Sequence, residues 1–234
     1  MSKPSPMSIL RNTAVAASAA AVCLTPCAVL AQDFSLDVGV ASEYVGKGLG
    51  KSDEKVAPFA RGEVVFGEIY GSVFVSSADS PTQGFDAEIV SMVGWRPKVA
   101  GFAFDLGVMN RDLPGTRAGV DRNYWEYQAD ASRKIGPVST RLRINYTDDG
   151  FAATKAAWWN EIQGAIAVAP KTRASAAYAL RRADGGADYD AWNLGVKHQL
   201  LEAVAVDLRW YDTDSHELGE TYDGRLVAAA TYSF

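Results

Sequence analysis

Cysteine is confined to the first 31 residues, at Cys23 and Cys27. Beyond them no disulfide, thiol nucleophile, Cys-ligated zinc or iron–sulfur cluster can form. Histidine is almost as scarce, with two in the chain. No run beyond residue 31 reaches the roughly 18 consecutive apolar residues that mark a membrane-spanning helix. A basic excess is missing too: the net charge is −5 and the pI about 5.1, which excludes the basic footprint of a nucleic-acid partner. Yet 48% of residues are hydrophobic and 11% aromatic, too many for a disordered chain. A mean hydropathy of −0.08 excludes a bundle of membrane helices. It leaves open a protein that crosses with strands. The 234 residues allow one domain or at most two.

Residues 1–31 read as a cleaved secretory signal peptide. Lys3 and Arg11 make a positive start without any acid, and Thr13 to Leu24 is apolar and Ala-rich. Val29-Leu30-Ala31 sets cleavage after Ala31. The apolar run is shorter than the ~20 residues of an anchor, and Pro26 interrupts it. Neither Cys27, after Pro26, nor Cys23, after Val22, suits lipoprotein processing. Residues 32–234 are then a single exported domain, more acidic once Lys3 and Arg11 are gone.

That domain alternates with period two. Over 33–44, Phe34, Leu36, Val38, Val40 and Tyr44 oppose Asp33, Ser35, Asp37, Gly39, Ala41 and Glu43. Over 138–147, Val138, Leu142, Ile144 and Tyr146 oppose Ser139, Arg141, Arg143 and Asn145. A strand sends successive side chains to opposite faces, so each such segment has an apolar and a polar face. The pattern predicts twelve strands: 33–45, 56–66, 69–78, 85–96, 101–111, 123–134, 138–147, 156–168, 172–182, 190–200, 203–212 and 224–234. Most are longer than the five or six residues usual in globular sheets and suit tilted strands of about 9–11 residues crossing a bilayer.

The connections alternate between tight turns, such as Gly67-Glu68 and Leu201-Glu202, and long polar loops, such as 46–55 and 213–223. That asymmetry belongs to a transmembrane antiparallel up-and-down β-barrel of 12 strands, with short periplasmic turns and longer extracellular loops. Leu226, Ala228, Ala230, Tyr232 and Phe234 alternate to a C-terminal aromatic residue. Leu226, Tyr232 and Phe234 thereby form the expected signal for the barrel-assembly machinery. Tyr44, Trp95, Trp125, Tyr146, Trp158, Trp192, Trp210 and Tyr232 gather near strand ends, as in the girdles at bilayer interfaces. The competing fold is a soluble β-sandwich or lipocalin-like barrel with the apolar face inward; strand length and loop asymmetry speak against it.

Short motifs along the domain resemble the TorF family of outer-membrane porins. They are Ser42, Tyr44, Lys47, Gly48, Ser52 and Pro58 in the first hairpin and Gly67, Tyr70 and Gly71 in the second. Asp105-Leu106-Gly107, Pro114-Gly115 and Asn123-Tyr124-Trp125-Glu126 follow. Two positions depart from the pattern: Lys47 stands in place of Arg, and Arg61-Gly62 in place of Gln-Gly. The resemblance implies an outer-membrane location and a pore, without naming a solute.

With apolar residues toward lipid, the other register lines a lumen. Strands one to six give it an acidic wall of Asp37, Glu43, Glu63, Asp86, Glu88, Asp105, Glu126 and Asp130, against Arg61, Arg96, Arg111 and Lys134. Strands seven to twelve give a basic wall of Arg141, Arg143, Arg173, Arg181, Lys197, Arg209 and Arg225, against Glu161 and Asp207. Facing walls of opposite charge would set up a transverse field that selects solutes. Arginine's planar donor fork favours carboxylates and phosphates. The expected function is therefore passive diffusion of small, anionic, hydrophilic solutes. The alternatives are a plugged barrel, with cross-strand pairs such as Arg61–Glu43 and Arg143 with Glu161 or Asp130, or an enzyme or adhesin acting through its outer loops.

Other motifs lead nowhere. Gly46-Lys47-Gly48-Leu49-Gly50-Lys51-Ser52 ends like a phosphate-binding loop, but the required first glycine falls on Val45. The segment reads as a flexible outer loop. His198 falls in the lipid-facing register with no serine or acid beside it, and His216 lies in the acidic loop Asp212-Thr213-Asp214-Ser215-His216-Glu217. No catalytic residue, metal site or cofactor is expected. The expected partners are outer-membrane lipid, lipopolysaccharide, the assembly machinery and small hydrophilic solutes, with no nucleic acid.

Overall fold

A computed structural model describes residues 32–234. The signal-peptide reading lies outside the described residues. The domain is one closed antiparallel sheet. Its twelve long strands are β1 (Gln32–Ala41), β2 (Ala57–Phe66), β3 (Ile69–Ser77), β4 (Ala87–Trp95), β5 (Phe102–Asp112) and β6 (Asn123–Ile135). They continue as β7 (Val138–Gly150), β8 (Lys155–Ala169), β9 (Thr172–Ala183), β10 (Tyr189–Gln199), β11 (Val204–Thr213) and β12 (Arg225–Ser233). Each pairs with its neighbours in sequence, and β1 pairs with β12 from Asp37↔Ser233 to Ala41↔Ala229, which closes the barrel and leaves no edge. Among the described residues there is no α-helix; two 3₁₀ turns, His216–Leu218 and Glu220–Tyr222, lie in the last loop.

The strand ends fall within a residue or two of the period-two reading, with two departures. β1 stops at Ala41 instead of 45, and β7 runs on to Gly150. Tight turns at 67–68, 136–137 and 170–171 mark one end, and the longer connections 42–56, 78–86, 113–122 and 214–224 the other.

The apolar register points outward. Leu194 is 63% exposed and Val93 65%. Phe34, Leu142, Ile162 and Leu208 are likewise bare on the outer wall. So large an apolar belt is tolerable only against another apolar phase. This geometry overturns the lipocalin-like alternative, in which the same residues would fill the interior. Trp95, Trp125, Trp158, Trp192, Trp210 and Tyr232 are exposed among them, and Tyr146 leans between Tyr127 and Trp158.

Candidate functional site

The loop between β1 and β2 does not project outward. Residues 42–56 fold back into the barrel, where Val45–Gly46 and Leu49–Gly50 form a minute antiparallel ladder. Lys47 (φ 53°) and Gly48 (φ 82°) make its tip, both left-handed, as a two-residue hairpin turn requires. At Gly48 a Cβ would sit 2.8 Å from the Ala191 methyl, and at Gly50 it would run into Glu43 and Arg225. The glycine spacing that resembled a phosphate loop is therefore that of a hairpin thin enough to lie in a lumen. This corrects the reading of a flexible outer loop. It also removes Tyr44 from the lipid-facing girdle, since Tyr44 sits inside against Phe74, ring centroids 5.8 Å apart.

The hairpin is fixed to several strands around the circumference. Glu43 pairs with Arg225 of β12 at 2.5 Å, Lys51 with Glu88 of β4 at 2.5 Å, and Lys47 with Glu126 of β6. The Tyr189 hydroxyl of β10 donates to the Lys47 carbonyl at 2.8 Å. Leu49 packs on Trp159, Ala179, Tyr189 and Ala191 from β8, β9 and β10. Within the loop the Tyr44 N–H donates to Ser52 Oγ at 2.9 Å, and that hydroxyl donates to the Lys55 carbonyl at 2.7 Å. Burial pushes the Lys47 amine down to about 8, although the Glu126 carboxylate pulls it the other way. Burial likewise raises the Tyr44 phenol, helped by Glu88.

Arg111 of β5 ties the anchors together, reaching Glu88 at 2.5 Å and Glu126 at 3.4 Å. Glu88 and Glu126 are fully buried, so each carboxylate depends on these cations for compensation. Asn145 adds a hydrogen bond to Glu126 at 2.7 Å.

Below the hairpin, toward the short turns, lies a cavity of about 620 Å³. Its charged lining is Arg61, Arg96, Lys98, Arg111, Arg141 and Arg143 against Asp105 and Asp130. A second cavity, of about 390 Å³, lies on the other side of the hairpin and is walled by Lys47, Lys51, Tyr124, Phe151, Arg181 and Tyr189, among others. The two share Tyr44, Phe74 and Arg111, which therefore stand between them.

Acids and bases do not simply face one another as two walls; they interleave as pairs. On the acidic side, Glu63 holds Arg96 at 2.7 and 2.9 Å. Asp105 accepts from Arg96 at 3.2 Å and from the Tyr70 hydroxyl at 2.7 Å. Asp130 holds Arg143 at 2.6 and 2.8 Å, a cross-strand pair that the sequence register allows. Glu161, directly opposite Arg143 in register, pairs with Arg141 at 2.7 Å, and Glu43 goes to Arg225 instead of Arg61. Asp37 accepts from Ser233 at 2.6 Å, and Asp86 is exposed just before β4.

On the basic side Arg209 spans Asp207 at 3.1 Å, Asn193 at 2.7 Å and Ser175 at 3.0 Å. Arg173 reaches Ser139 at 3.3 Å and stands opposite Lys197, and neither has a carboxylate within ion-pair distance among the described residues. Arg181 donates to the Ala187 carbonyl and to Thr154 at 3.4 Å. Leu226 and Tyr232 are exposed on the outer wall. The Phe234 N–H donates to the Leu36 carbonyl at 2.9 Å, and its ring meets Tyr232 edge-on at 4.7 Å.

His198 meets Thr172 at 2.8 Å; exposed His216 meets Asp212 at 2.8 Å, which raises its pKa. Among the described residues no group of His, Cys, Asp and Glu side chains is placed to hold a metal ion. Sequence reasoning assigned Arg61, Arg96 and Arg111 no more than an opposing role, and missed Lys47 and Lys51.

Solved structures share this architecture at low identity. The KdgM porin matches at 11% identity and TM-score 0.59, over 86% of this chain and 99% of that one, and has also been solved in complex with disordered oligogalacturonate. The NanC porin matches at 8% identity and TM-score 0.56, over 85% and 97%. An outer membrane channel from Pseudomonas putida F1 matches at 10% identity and TM-score 0.51, over 89% and 97%. No curated protein matches the chain. Residues 28–233 match the model of a family described as "Bacterial protein of unknown function (Gcw_chp)", and the chain belongs to that family.

Proposed function

We propose that this protein is an outer-membrane, porin-like channel for passive diffusion of small, anionic, hydrophilic solutes, akin to the TorF porins its motifs resemble. The observation that carries the reading is the inner cavity, whose lining has six cations to two carboxylates. Arg96 spends its fork on Glu63 and Asp105, whereas Glu161 holds Arg141 through one terminal nitrogen, so the Arg141 guanidinium is fixed in place with donors to spare. The buried Nε atoms of Arg111 and Arg141 have no acceptor among the described residues, so neither guanidinium is fully spent on its carboxylate partners. A porin of the same fold in complex with oligogalacturonate accords with an anionic cargo. In this reading lipid and lipopolysaccharide surround the barrel, the short turns face the periplasm, the assembly machinery reads the terminal strand, and the protein has no enzymatic activity.

A second reading, a plugged barrel, draws on the anchored hairpin. Single-channel recording in planar bilayers separates the two. The channel reading expects discrete steps with anion preference that falls in Arg141→Ala and Arg173→Ala. A folded barrel silent at both polarities would leave the plug.

A further inference from the structure

The outer cavity differs in chemistry from the inner one. Leu49, Tyr124, Phe151 and Tyr189 give it an apolar, aromatic side. Four cations reach it: Lys47, Lys51, Arg111 and Arg181. Three of them share two buried carboxylates, because Lys47 uses Glu126, Lys51 uses Glu88, and Arg111 bridges both. Arg181 has no carboxylate within ion-pair distance among the described residues. Its guanidinium lies 5.5 Å from the centroid of the Tyr189 ring and donates to neutral oxygens of Ala187 and Thr154. These cations are only partly exposed, and a positive excess held among aromatic rings and partly screened from water favours an anion beside it. The Thr147 hydroxyl, buried on the same cavity wall, has no hydrogen-bond partner among the described residues.

We propose that this cavity is a binding site for an organic carboxylate with an apolar or aromatic body. The carboxylate sits on Arg181 with Thr147 as a further donor, and the body lies among Leu49, Tyr124, Phe151 and Tyr189. A fully hydrated inorganic anion would leave the aromatic side unused, and a neutral ring would leave the charge uncompensated. A solute held here has next to pass Tyr44, Phe74 and Arg111 to reach the inner cavity, so the site selects before the constriction does. The inference deepens the channel reading and rests on it for the solute's route.

Isothermal titration calorimetry of the protein refolded in detergent tests the site without requiring conduction. Benzoate is the probe; gluconate, a carboxylate on a polar body, and benzyl alcohol, a ring without charge, are the comparators. Benzoate should bind saturably, with both comparators at least about tenfold weaker. Arg181→Gln should weaken benzoate by roughly tenfold, the worth of one charge-assisted hydrogen bond, and Arg181→Lys should restore part of that. Heat-modifiable gel migration shows that each variant has folded. Absence of saturable benzoate binding, equal binding of gluconate, or an unchanged Arg181→Gln overturns the site. A barrel that binds benzoate but never conducts would sink the channel and keep the site; a conducting barrel indifferent to benzoate would do the reverse.

Discussion

Glu126→Gln tests the anchoring of the hairpin. Glu126 is fully buried and receives Lys47, Asn145 at 2.7 Å and Arg111 at 3.4 Å. Removing one member of a buried charge pair costs about 3–5 kcal/mol, because the other charge is left uncompensated. Two features bring the expectation toward the lower end. Arg111 keeps Glu88 at 2.5 Å, and the Lys47 amine, already down at about 8, can lose its proton. Shedding it at pH 7 costs about 1.4 kcal/mol per pH unit separating the pKa from the solution. The expected loss is therefore about 3 kcal/mol, read from the urea midpoint of unfolding in lipid vesicles followed by gel migration. The freed hairpin tip should also raise single-channel conductance. A loss below about 1 kcal/mol, the worth of an exposed pair, together with unchanged conductance, would show that the hairpin is not held by this buried charge.

Three other expectations follow from the same geometry. Tyr44→Ala removes a phenol shared by both cavities and should raise conductance and the size limit for neutral sugars in liposome swelling; an unchanged limit would place the constriction elsewhere. The Lys47 amine lies at about 8 in the fold against 10.5 unfolded, so its cost to stability is complete below pH 8 and fades as pH rises toward 10.5. Around pH 8 the folded lumen loses one positive charge, so anion preference should fall between pH 7 and 9, and Lys47→Met should lack that step; a pH-independent reversal potential in the parent protein would refute it. Leu194, mid-strand on the outer wall, should lose about 2–4 kcal/mol on replacement by Arg, and an unaffected unfolding midpoint would argue against a lipid-facing position.

Period two made the strands legible because lipid and lumen impose opposite polarity on successive residues. It also exposed the alternation of turns and loops. The hairpin escaped because its ladder pairs only Val45–Gly46 with Leu49–Gly50, too short to show any period. Its partners are also remote: Glu88, Glu126 and Arg225 lie 37, 79 and 182 residues from Lys51, Lys47 and Glu43. One signal was nevertheless present. Ala157, Trp159, Ala177, Ala179, Tyr189 and Ala191 fall in the lumen register of β8 to β10, where water alone would favour polar side chains. They are buried because the hairpin packs there. Charge by strand suggested two walls, but long arginines reach across neighbouring strands, so proximity is decided by reach and register. Arg141, which passes over its register partner Gln163 to pair with Glu161, shows this.

The central claim is a lumen whose cations outnumber its free carboxylates. The reversal potential of the purified barrel in a planar bilayer under a KCl gradient reads it directly. A potential on the chloride side, moving toward zero in Arg141→Ala, is the predicted result. Cation preference in the folded barrel, or no current at either polarity, would contradict the account.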